Sequence, residues 1–78
     1  MHYVYILRLK DNSQYVGYSE NLKQRIEEHS RGIVKTTKSN LPSELVFYAA
    51  FKDKYKAIKF ERYLKEGSGF AFRNKHLV

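Results

Sequence analysis

Two short triplets, Tyr3-Val4-Tyr5 and Tyr15-Val16-Gly17, stand on either side of a polar turn, and Arg25, His29 and Glu61 follow downstream. These residue types have complementary chemistry. A guanidinium presents a planar fork that matches two phosphate oxygens. An imidazole gives or takes a proton near neutral pH. A carboxylate can hold Mg²⁺ or Mn²⁺, and one or two carboxylates suffice when substrate phosphate and water complete the shell. Together with two phenols, the set describes a site that holds a phosphodiester against a metal ion.

Each residue also has a plainer reading. Glu61 falls in the apolar stripe formed by Ala57, Ile58 and Leu64. A buried, unpaired carboxylate is costly, so Glu61 requires a partner. That partner is either Arg25 or a lysine in a salt bridge, or a divalent ion. Taken singly, Arg25 is an edge-of-helix arginine, His29 an interface histidine, and Tyr5 and Tyr15 core aromatics. Gly17 weakens a strand and implies a close approach to its backbone. Only the combination carries information.

Other chemistries find no support. Gly67-Ser68-Gly69 lacks the Lys-Ser/Thr of a phosphate loop. One inward acid excludes a paired-carboxylate glycosidase. The serines have no nucleophile-elbow context. His2, His29 and His76 lack zinc spacing, and without cysteine there is neither a disulfide nor a thiolate-bound zinc.

The elements that must position the set are readable locally. Residues 3–9 are apolar on both alternating faces, Tyr3, Tyr5, Leu7 and Leu9 on one and Val4 and Ile6 on the other, which predicts a central strand. Residues 14–18 predict its hairpin partner. A three-residue loop, Asp11 to Ser13, pairs Leu9 with Tyr15 and Leu7 with Gly17; Tyr5 and Tyr15 then share a face. Asn12 or Ser13 is expected in the left-handed region. Asn21 is a helix N-cap followed by Gln24, and Gly32 ends that helix. Leu22, Ile26 and His29 should face the sheet, with Arg25 beside them and Glu27 and Glu28 outward. Residues 33–43 form a polar loop, mobile or functional. Residues 44–51 predict a third strand, and Asp53 caps a helix from Lys54 to about Glu66. The segment Phe70 to His76 is expected to form a last helical turn. The 78 residues therefore predict one domain with an α/β (α+β) fold: a three-stranded antiparallel sheet flanked by helices, ββαβα plus a short C-terminal helix.

Fifteen Lys and Arg against eight Asp and Glu give a net charge of +7, which favours an anionic partner, nucleic acid foremost. Lys10, Lys23, Lys35, Lys38 and Lys54 are candidates for following a phosphate backbone. No apolar run reaches membrane-spanning length, and the start has no signal-peptide character, so a cytoplasmic protein without a membrane partner is expected.

Along nearly its whole length the chain resembles the GIY-YIG nuclease superfamily, most closely its small stand-alone bacterial members. Tyr3-Val4-Tyr5 and Tyr15-Val16-Gly17 stand where the two signature triplets belong, and Asn21-Leu22, Arg25, His29 and Glu61 continue the match. The resemblance implies metal-dependent cleavage of DNA. It would make Glu61 the ligand of a single Mg²⁺ or Mn²⁺ ion, Arg25 the phosphate binder, and Tyr15 or Tyr5 the group that deprotonates or orients the attacking water. His29 would lie near the nucleophile. Tyr18 stands where some members have a lysine, and Asn74 is the one candidate for an asparagine found after the second helix. Tyr3 replaces the first glycine of the signature, which would narrow the site.

The expected activity is therefore a DNA endonuclease of low intrinsic sequence specificity, acting in repair or processing, with branched and single-stranded DNA among its candidate substrates. The rival reading is a nucleic-acid-binding accessory module that keeps the scaffold without useful cleavage. A third is a structural partner docking its basic face on an acidic protein.

Overall fold

The computed structural model describes residues 1–66 of the 78. Strand β1 (His2–Arg8) turns into β2 (Gln14–Ser19), helix α1 (Leu22–Ser30) follows, and β3 (Glu44–Phe51) leads into α2 (Lys54–Lys65). The sheet order is β2-β1-β3, antiparallel throughout, so β1 is the central strand. Gly67-Ser68-Gly69, the turn expected at Phe70 to His76, and Asn74 lie outside the described residues.

The doubly apolar pattern of β1 works as expected. Val4, Ile6 and Val16 pack with Ala57 and Leu64 of α2 on one face. Tyr5, Leu7 and Leu9 pack with Tyr15 and with Leu22 and Ile26 of α1 on the other. Alternation along a strand thus gives each helix its own face.

The hairpin loop has the expected length but a different position. Leu9 N–H donates to the Ser13 carbonyl at 2.8 Å and Asn12 N–H to the Leu9 carbonyl at 2.9 Å, leaving Lys10 to Asn12 as the three-residue loop. Asn12 takes the left-handed conformation at φ 68°. The pairs are accordingly Leu7 with Tyr15 and Tyr5 with Gly17, not Leu9 with Tyr15 and Leu7 with Gly17. The reason is that Asn, rather than Ser, takes positive φ most readily after a type I turn, and this fixes where the loop closes. Moving the loop by one residue moves the register by two, so side-chain parity survives. Tyr5 and Tyr15 still share a face.

Helix α1 begins where Asn21 Oδ1 accepts from Gln24 N–H at 3.1 Å. It ends in a Schellman arrangement: Gly32 at φ +75° donates to the His29 carbonyl at 3.1 Å, and Ile33 N–H donates to the Glu28 carbonyl at 3.1 Å. This closure turns the chain back so that Val34 and Thr37 are buried. The segment 33–43 is consequently structured, with a 3-10 turn at Lys38–Asn40. Its Asn40 carbonyl accepts from Lys10 N–H at 3.0 Å, clipping the loop to the hairpin.

Candidate active site

Tyr5 is the centre of the site. It has no exposed surface, and its ring lies across Gly17 on the neighbouring strand. A Cβ at Gly17 would overlap the Tyr5 phenol. The close approach implied by a glycine in this strand is therefore made by a tyrosine of the same chain.

The Tyr5 hydroxyl lies 2.9 Å from His29 Nε2. His29 is fully buried, and its Nδ1 lies 2.8 Å from Thr37 Oγ1. Tyr15 completes the group: its ring meets the imidazole edge-on at 5.1 Å between centroids and lies 6.2 Å from the Tyr5 ring. The Arg25 guanidinium sits beside the Tyr5 hydroxyl, while its Nε is buried with no acceptor in hydrogen-bonding geometry. Tyr5, Tyr15, Arg25 and His29, four residues from three elements, thus come together.

The electrostatics follow from this packing. Burial pushes the Tyr5 phenol up to about 12, against which the neighbouring Arg25 works. Burial also lowers the His29 pKa, and the Arg25 charge lowers it further, with Glu28 opposing. Contact with Tyr5, then with Glu28, holds Arg25 firmly protonated. The resting state is a neutral phenol, a neutral imidazole and a cation at their edge. Both shifts hold the phenolic proton on Tyr5 in that state.

Glu28 is a correction to the sequence reading. It does not point outward; it is half-buried and pairs through Oε1 with Arg25 Nη1 at 3.1 Å. Three positions separate the two residues, which places them side by side on the helix surface. Arg25, Glu28, Gln24, Asn21, Glu20, Ser19 and Tyr18 line a hollow of about 370 Å³ at the end of β2. A larger hollow of about 520 Å³ lies between the start of α1 and β3, but Tyr3, Leu22, Ile26, Leu45 and Tyr48 dominate its lining. It contains neither the arginine nor the histidine; the smaller one contains Arg25 and Glu28 but not Tyr5, Tyr15 or His29.

Glu61 is placed differently. It lies on α2, the helix that covers the opposite face of the sheet, and its Oε2 is 3.1 Å from Lys65 Nζ one turn on. Of the two partners foreseen for it, the structure shows a lysine. No hydrogen bond or ion pair joins Glu61 to Tyr5, Tyr15, Arg25 or His29, and the described residues contain no cluster of three metal-ligating side chains. The physical reason is strand parity: α1 already covers the Tyr5 face, so the apolar stripe of α2 covers Val4, Ile6 and Val16. Tyr18 is also turned to that second face, where its hydroxyl meets His2 Nδ1 at 2.7 Å and the rings stack. Lys10, Lys23, Lys35, Lys38 and Lys54 are all exposed.

A profile of the GIY-YIG catalytic domain matches residues 1–75. The chain belongs to the GIY-YIG family. Its relatives include a UPF0213 protein of Clostridium perfringens, 42% identical over 85% of this chain and 72% of the relative. Another is the UPF0213 protein YazA of Bacillus subtilis, 39% identical over 83% of this chain and 67% of the relative. The solution NMR structure of the UPF0213 protein BH0048 from Bacillus halodurans superposes with a TM-score of 0.61 at 38% identity, over 94% of this chain and 79% of that one. The GIY-YIG assignment supports a nuclease-like function at the level of the family, with nucleic acid as the substrate class.

Two residues of this GIY-YIG site were not visible as such in the sequence. Thr37 sits in a polar tract without periodicity, and nothing local distinguishes it from Thr36. Glu28 carried one signal, its three-residue spacing from Arg25, which is also the spacing of a solvated surface pair.

Proposed function

We propose that this protein is an endonuclease that hydrolyses DNA phosphodiester bonds with low intrinsic sequence specificity, in cytoplasmic DNA repair or processing. The observation that carries the reading is the Tyr5 hydroxyl held 2.9 Å from a buried imidazole, with Arg25 alongside. His29 Nε2 accepts the Tyr5 proton as a water near the phenol oxygen loses its own to Tyr5; Tyr15, edge-on to the imidazole, shapes the same pocket. Arg25 exchanges its contact with Glu28 for two non-bridging phosphate oxygens. The exposed lysines follow the backbone, so binding weakens steeply with salt.

Glu61 is the residue that would hold a single Mg²⁺ or Mn²⁺ ion, and it stands on the helix across the sheet from Tyr5 and Arg25. Glu61 keeps about a fifth of its surface exposed and its lysine partner about half, so the pair is a weak surface one that a cation can displace. One carboxylate, substrate oxygens and water meet the needs of such an ion. When bound, it would stabilise charge on the phosphoryl oxygens and leaving group.

The placement of Glu61 on the second face favours one alternative, a nucleic-acid-binding accessory module that cleaves weakly or not at all. Nicking of supercoiled plasmid with Mg²⁺ or Mn²⁺, run beside binding to duplex, branched and single-stranded oligonucleotides, separates the two. The nuclease reading expects Glu61→Ala and Tyr5→Phe to abolish nicking while binding persists. Binding without nicking by the unaltered protein, across metals and substrates, supports the alternative.

A further inference from the structure

Thr37 has no exposed surface, and its Oγ1 lies 2.8 Å from His29 Nδ1. It is the one hydrogen-bond partner of that nitrogen among the described residues. The turn holding it is fixed from the backbone: the Val34 carbonyl accepts from Thr37 N–H at 3.1 Å and Lys38 N–H at 3.0 Å. The Thr37 hydroxyl also has its own outlet, 3.5 Å to the same carbonyl. We propose that Thr37 is a positioning residue, which accepts from His29 Nδ1–H and so keeps Nε2 free to take the proton of Tyr5.

The proton balance supports this assignment and rests on the nuclease reading above. The proton leaves the Tyr5 oxygen and joins Nε2 as Tyr5 takes one from the attacking water, leaving an imidazolium beside a neutral phenol. Both ring nitrogens then donate, Nε2–H to Tyr5 and Nδ1–H to Thr37, while the Thr37 hydroxyl proton turns to the Val34 carbonyl. No proton is left over, and both imidazole N–H groups have an acceptor. Without the Thr37 oxygen, the imidazolium would bury an Nδ1–H that no water can reach. The other groups around the imidazole cannot substitute. Arg25 is a cation and only donates, Tyr15 meets the ring edge-on from β2, Tyr5 occupies the other nitrogen, and Glu28 makes no hydrogen bond to the imidazole.

The test combines imidazole ¹⁵N NMR with cleavage kinetics on the full chain, His29 being assigned with His2→Gln and His76→Gln variants. The unaltered protein is expected to show the Nδ1–H tautomer at His29. Thr37→Val, which keeps the shape and removes the hydroxyl, is expected to move His29 toward the Nε2–H tautomer and to lower its titration midpoint. Cleavage should fall about tenfold to a hundredfold, the scale of one lost hydrogen bond to a charged group. Thr37→Ser should restore all three. An Nε2–H tautomer in the unaltered protein would overturn the proposal even if Thr37→Val failed to fold. So would a His29 titration indifferent to Thr37→Val, or a failure of serine to restore it. If the unaltered protein cleaves nothing, the nuclease reading falls, while the tautomer still decides the role of Thr37.

Discussion

Tyr5→Phe tests the buried phenol most directly. The variant keeps the ring that lies across Gly17 and removes only the hydroxyl that meets His29. At neutral pH it loses a buried hydrogen bond and leaves Nε2 unsatisfied, a cost of about 1–3 kcal/mol. The pH dependence is more diagnostic. The Tyr5 phenol is raised from 10.0 to about 12, so the folded state keeps its proton after the unfolded chain has lost it. Fewer protons are then bound in the unfolded state, and stability falls as pH rises. The contribution is fully present below pH 10 and is lost by about pH 12, a total on the order of 3 kcal/mol at about 1.4 kcal/mol per unit. Tyr5→Phe lacks this slope. Urea denaturation at successive alkaline pH values should show the two stability curves converging as pH climbs through that window. Parallel curves for the unaltered protein and the variant would refute a neutral, buried Tyr5.

Gly17→Ala should displace the Tyr5 ring, because a methyl group overlaps the phenol; a loss of about 1–3 kcal/mol by thermal or urea melts is expected, with cleavage falling further than stability alone explains. Glu28→Gln should free Arg25 from its 3.1 Å ion pair and tighten DNA binding severalfold at low salt, read by fluorescence anisotropy; unchanged affinity would mean that Arg25 does not reach phosphate. At the hairpin, Asn12→Val should cost about 1–2 kcal/mol because its φ is 68°, whereas Asn12→Gly should be nearly neutral, as denaturant titration would show.

Much of this molecule was legible in the sequence because its signals are local. The two-faced apolarity of residues 3–9 identified the central strand, Asn21 and Asp53 identified helix starts, and Gly32 identified a helix end with positive φ. The shared face of Tyr5 and Tyr15 was also readable, since strand parity depends only on whether the loop is odd or even. The register itself was not, because Asp11, Asn12 and Ser13 are all turn residues and the competition among them decides which one closes the loop.

The sequence by itself set the order of elements, the types of side chain available for phosphate chemistry and the charge that attracts a polyanion. Tertiary structure alone decided that Thr37 stands behind His29, that Glu28 occupies Arg25, and that Glu61 pairs with Lys65 on the far side of the sheet. Periodicity says which residues share one face of one element, because that relation is fixed by backbone geometry. It carries no information about which loop residue folds back onto a helix, or which sheet face a second helix will cover. Those outcomes come from closing apolar surface over the whole chain at once.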